Sequence, residues 1–85
     1  MAEQLFLFQS RWKEELIASG RGGSLVLELP MGVLSVYLPT KVEWEQRAPE
    51  WAQSLWVELK QELEGWCREN GVQFHVDPFA KVYSL

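Results

Sequence analysis

The residues suited to chemistry are few. His75 is the one histidine, and Asp77 stands two positions on, where an extended backbone would put both on one strand face. A carboxylate placed so can orient an imidazole as a general base. Cys67 is the one cysteine and the nearest candidate nucleophile, yet it falls on the apolar arc of a helix, where burial raises a thiol's pKa and makes it inert. Cys67, His75 and Asp77 together form an incomplete transition-metal set, without the paired Cys or His spacing that marks a metal site. The sequence therefore assigns no catalytic residue, no metal and no cofactor.

A second group surrounds Trp44, which lies among Glu43, Glu45 and Glu50. Paired carboxylates divide acid and base roles in glycosidases, but nothing local raises one pKa selectively, and a chain this short has little room for a deep cleft. The segment reads as a solvated acidic loop. Trp44 lies outside any periodic stripe, so it is the tryptophan expected to be partly exposed and available to a partner.

The third group lies on strands. Leu25-Val26-Leu27-Glu28-Leu29 and Val33-Leu34-Ser35-Val36-Tyr37-Leu38 are rich in strand formers, and Pro30-Met31-Gly32 between them supplies turn chemistry. Alternation sends Leu25, Leu27 and Leu29 to one face with Leu34, Val36 and Leu38. It leaves Val26 and Tyr37 on the other face with His75 and Tyr83. Rimmed by Glu28, Gln73 and Lys81, that half-apolar face has the make-up of a protein interface.

The elements that must position these groups follow from periodicity. From Pro49 to Asn70, Trp51, Ala52, Leu55, Trp56, Leu59, Leu63, Trp66 and Cys67 fall within an arc of roughly 160° at helical spacing. This predicts the organising helix, with Pro49 at its start, a Glu64–Arg68 pair on its flank and Asn70-Gly71 as its stop. Thr40 and Glu43 have the spacing of a capping box for a short helical turn. Leu5, Phe8, Trp12 and Leu16 predict a first helix over Glu3 to Ser19, ended by Gly20 in the glycine-rich turn Gly20-Arg21-Gly22-Gly23-Ser24. The alternative is that Leu5-Phe6-Leu7-Phe8 is a short strand. The glycine run follows a helix and opens a strand in this scheme, the reverse of a phosphate cradle. Val72-Gln73-Phe74-His75-Val76 alternates as a third strand, and after the Asp77-Pro78 turn residues 80–85 form an edge strand or a tail.

The expectation is one α+β domain over residues 1–85. It is a two-layer sandwich in α-β-β-α-β order, with an antiparallel sheet of three to four strands and two helices on one face.

At 85 residues, 47% of them hydrophobic and 24% charged, the chain has the composition of a folded globular domain. Its core is small, so self-association is a natural supplement to its stability. A net charge of −4 is the wrong sign for neutralising phosphates, which disfavours nucleic acid as a partner. No apolar run approaches the roughly 20 residues that span a bilayer, so no membrane partner is expected and a cytoplasmic location is the default.

These observations favour a non-enzymatic protein-interaction module or homodimer, with Trp44, Tyr37, His75, Val26 and Asp77 as contact residues. The alternatives are a small-molecule-binding protein or minor enzyme around His75, and an acidic inhibitor or immunity-type protein directed at a basic target.

Overall fold

A computed structural model describes residues 4–11, 14–30, 32 and 34–84. Its strands are β1 (Leu7–Arg11), β2 (Glu15–Gly20), β3 (Gly23–Glu28), β4 (Ser35–Leu38), β5 (Gln73–Val76) and β6 (Val82–Ser84), and its helices are α1 (Lys41–Arg47) and α2 (Trp56–Asn70), which is preceded by a 3₁₀ turn over Glu50–Leu55. The fold is α+β, as the sequence indicates. The sheet is larger than expected, with six strands in the order β1-β2-β3-β4-β5, and β6 also paired to β3.

The expected first helix is a β-hairpin. β1 and β2 pair antiparallel from Leu7↔Ser19 to Arg11↔Glu15, so a strand replaces the helix, as the alternative had it, but it covers only Leu7 and Phe8 of the Leu5–Phe8 run and continues to Arg11. Phe6 and Phe8 turn toward the core while Leu7 between them is 70% exposed, a period of two rather than 3.6. Trp12 lies outside the described residues. Gly20 is accordingly the last residue of a strand and not a helix stop.

The glycine run has a packing role. A Cβ on Gly22 would lie 2.6 Å from the Cβ of Trp51, and one on Gly20 or Gly23 would lie within 3.1 Å of the same indole, so the turn between β2 and β3 is a seat for Trp51. That ring lies 6.3 Å from Phe6, Phe6 lies 6.3 Å from Phe8, and Phe8 lies 6.2 Å from Trp66. The chain of four rings joins the N-terminal hairpin to the helical layer.

The second hairpin is looser than its sequence suggests. β3 and β4 meet in antiparallel register at Glu28↔Tyr37, with Met31 and Val33 of the connection outside the described residues. β4 and β5 then pair parallel, from Ser35↔Gln73 to Leu38↔Val76, because α1, the 3₁₀ turn and α2 carry the chain back to the same end of the sheet. β6 is the short edge strand of the two alternatives: it pairs with β3 alone, along Leu25–Leu27, where β4 has diverged.

The organising helix stands largely as read. Thr40 Oγ1 accepts from the Glu43 N–H at 3.4 Å at the start of α1, and Gly71 closes α2 in the left-handed region at φ 67°. Glu64 pairs with Lys60 at 2.5 Å in place of the expected Arg68. Leu16, Ala18, Leu25, Leu27, Leu29, Val36 and Leu38 from the sheet form one buried cluster with Trp44, Ala48, Ala52, Leu59, Leu63 and Cys67 from the helical layer, and Trp51, Trp56 and Trp66 pack against it half-buried. Among the described residues no helix is long and apolar enough to cross a membrane.

Candidate functional site

Register fixes which side chains share the sheet face turned away from the helices. One row across it runs Arg11, Glu15, Glu28, Tyr37, His75, and the next runs Gln9, Ile17, Val26, Tyr83. The Arg11–Glu15 ion pair at 2.6 Å and the Ser19–Ser24 hydroxyl contact at 3.0 Å agree with this assignment.

Tyr37 and His75 come together because parallel pairing sets β4 against β5. Their rings stack with centroids 5.2 Å apart and planes 22° from parallel. His75 is exposed, and its Nε2 lies 3.2 Å from Gln73 Oε1. Asp77 does not orient the imidazole as the sequence suggests. It lies past the end of β5, where its N–H donates to the Leu38 carbonyl at 2.9 Å and its Oδ1 accepts the Phe79 N–H at 2.8 Å, shaping the turn that leads to β6.

That turn makes a fork in the sheet, since β4 and β6 both lie beside β3 and diverge from it. The fork encloses a cleft of about 370 Å³ lined by Glu28, Pro30, Tyr37, Asp77, Phe79 and Ala80. Glu28 Oε1 accepts the Lys81 N–H at 2.7 Å, which ties β6 to the end of β3 and fixes the carboxylate at the cleft. Phe79 is 83% exposed, the largest exposure among the big apolar side chains described. The arrangement offers two carboxylates and two aromatic rings, a combination suited to a basic side chain laid against an aromatic face.

Two proposed contact residues are buried. Val26 is on the expected face but only 4% exposed; its cross-strand neighbours are Ile17 and Tyr83, and side chains at such spacing shield one another without any helix above them. Tyr83, at 51% exposure, is the accessible member of that row. Trp44 is wholly buried under the helical layer, so the expectation of an exposed tryptophan in an acidic loop is overturned. The segment is helix α1, and Glu43 there pairs with Arg47 at 3.1 Å.

Cys67 lies in the core under α2, on the other side of the sheet from His75, so Cys67, His75 and Asp77 form no common site. Burial, reinforced by the charge of Glu64, pushes its thiol up to about 11. Among the described residues no group of three or more His, Cys, Asp and Glu side chains is placed to hold a metal ion.

Sequence reasoning named Tyr37, His75 and Asp77, which the fold gathers, and placed Glu28 at the rim. It missed Phe79. The available signal was an aromatic residue following Asp77-Pro78, inside a turn where nothing in the sequence could bury it. Comparison with protein-family models, with curated proteins and with solved structures finds no match to this chain.

Proposed function

We propose that this chain is a non-enzymatic protein-interaction domain whose contact surface is the helix-free face of the sheet, centred on Tyr83 and the Tyr37–His75 stack and extending to the fork at Phe79. The observation that carries this reading is the concentration of partly or largely exposed aromatic side chains on and beside one sheet face, bordered by Glu28, Gln73 and Lys81. Aromatic anchors inside a polar rim are what association sites use, because a ring buries much area and loses little rotamer freedom. The carboxylates of Glu28 and Asp77 and the net charge of −4 favour a partner that presents basic side chains there.

The simplest partner is a second copy, and sedimentation equilibrium of the purified chain tests it. Concentration-dependent dimerisation that Tyr83→Ser weakens at least about tenfold supports self-association, tenfold being the loss of one modest contact. A monomer at every concentration excludes the second copy and leaves a different protein as the partner.

A second reading, a small-ligand site, is favoured by the fork cleft alone. It would place the ligand against Tyr37 between Glu28 and Asp77, with His75 behind the ring. Perturbation of the Tyr37 and Asp77 resonances by a small cationic probe, with Gln9 and Tyr83 unaffected, would favour it over the broad-face reading.

A further inference from the structure

Asn70-Gly71 ends α2, and it carries a chemistry that capping does not use. Asn70 is the one asparagine of the chain, and it is followed by the residue type that least obstructs approach to its own backbone nitrogen. A glycine nitrogen can reach the side-chain carbonyl carbon of the asparagine before it and close a five-membered ring. Both residues are exposed at the end of α2. A Cβ added to Gly71 would meet nothing within 4 Å, so the junction lies open on that side.

Two hydrogen bonds guard the reacting atoms. The Gly71 N–H donates to the Cys67 carbonyl, which also accepts the Val72 N–H at 2.9 Å, with Gly71 left-handed at φ 67°. Asn70 Nδ2 donates to the Trp66 carbonyl at 2.8 Å. The nucleophile and the leaving amide are thus both engaged, and ring closure must wait for the last turn of α2 to open. Helix ends fray, and such local openings lie at the low end of the free-energy range.

We propose that Asn70 is a site of spontaneous deamidation, gated by opening of the last turn of α2, and that its isoaspartate product loosens the start of β5. In the open turn the Gly71 nitrogen passes its proton to solvent base and attacks Asn70 Cγ. The N–Cγ bond forms, the Cγ–Nδ2 bond breaks, and the amide leaves as ammonia with a proton taken from water. Water then opens the succinimide at either carbonyl. Opening at the side-chain carbonyl gives aspartate, which cannot donate to the Trp66 oxygen and sets a negative charge at a helix C-terminus, where the macrodipole disfavours it. Opening at the main-chain carbonyl gives isoaspartate, which routes the backbone through Cβ and adds a methylene between α2 and β5.

That link is short, since Gly71 and Val72 alone separate α2 from β5, and Val72 is buried. Gln73 then donates its N–H to the Leu34 carbonyl at 3.0 Å and begins the parallel pairing that brings His75 to Tyr37. The modification stands or fails on the helix end and does not depend on the sheet-face reading.

Isoaspartate methyltransferase labelling of the full chain, incubated at mildly alkaline pH, tests the proposal. It reports one position, because the one aspartate, Asp77, precedes Pro78, whose nitrogen carries no hydrogen to lose. Label is expected to accumulate in the folded chain, to map to the peptide carrying residue 70, and to be absent from Asn70→Gln, whose longer side chain closes its ring far more slowly. In urea it should accumulate about tenfold faster, since the guard of two modest hydrogen bonds is removed. In NMR spectra the Gln73 and His75 resonances should move in the isoaspartate form and stay in place in Asn70→Asp, which carries the charge without the added methylene. No label in the folded chain, or label undiminished in Asn70→Gln, overturns the site. Equal rates in urea and in buffer overturn the gate, and unmoved Gln73 and His75 resonances overturn the effect on β5.

Discussion

The indole N–H of Trp44 donates to the carbonyl oxygen of Ala52 at 2.8 Å, and both residues are fully buried. This bond joins α1 to the 3₁₀ turn that leads into α2, across the Pro49 break. Trp44 is thus a structural residue. Trp44→Phe keeps most of the ring but removes this hydrogen bond, and should cost about 0.5–1.5 kcal/mol; Trp44→Ala also leaves a cavity, and should cost about 3–5 kcal/mol. Urea unfolding followed by circular dichroism checks both values. A loss below about 0.5 kcal/mol for the alanine variant, the range of ordinary surface changes, would contradict the burial.

The seat beneath Trp51 makes a second prediction. Gly22→Ala places a methyl group 2.6 Å from the Trp51 Cβ, and neither the turn backbone nor the start of the indole can yield as a flexible side-chain tip would. Overpacking of this kind should destabilise the domain by about 1–3 kcal/mol. Gly65→Ala, with open space around it, should instead stabilise by up to about 1 kcal/mol through helix propensity. Opposite signs in the two melting temperatures are the expected result.

Cys67 predicts a dependence on alkaline pH. The buried thiol holds its proton up to about 11 in the folded chain, against an ordinary value of 9.0, so the unfolded chain ionises first as pH rises. The resulting stabilisation is complete below about pH 9 and is lost progressively toward about pH 11. The stability difference between the wild type and Cys67→Ala should therefore shrink across that window in urea titrations. Parallel curves would show that the thiol is not buried as described.

Much of the helical layer was legible. The arc from Trp51 to Cys67 is long enough for periodicity to decide, and Asn70-Gly71 marks its end chemically. The strand alternation of Leu25, Leu27 and Leu29, and of Val36 and Leu38, was equally plain, since each residue is buried, but Leu34, expected on the same face, precedes β4 and is 43% exposed.

The N-terminal hairpin was not, for two physical reasons. Leu5, Phe8 and Leu16 fit a helical stripe as well as they fit two strands, because a short apolar run satisfies both periods. The connection also carries no glycine, asparagine or proline: Glu14 itself adopts φ 61°, a conformation that glutamate seldom takes and that composition does not announce. Trp44 was misplaced because a seven-residue helix with one buried side chain shows no stripe. The parallel pairing of β4 with β5 depends on where the helices return the chain, which no local pattern records. Of the candidate site, alternation placed Tyr37 and His75 on one face, but the fork depends on β6 displacing β4 along β3, a competition between two distant segments for one strand.

The central claim is that the helix-free sheet face is where another protein docks. Its most direct test is a photo-crosslinking amino acid placed at position 83, on that face, with position 46, exposed on α1, as the control. Crosslinks from position 83 to a discrete protein, whether a second copy of the chain or another polypeptide, with none from position 46, are the expected result. Equal crosslinking from both positions, or none from position 83 under conditions where the tagged chain is folded, would contradict the assignment.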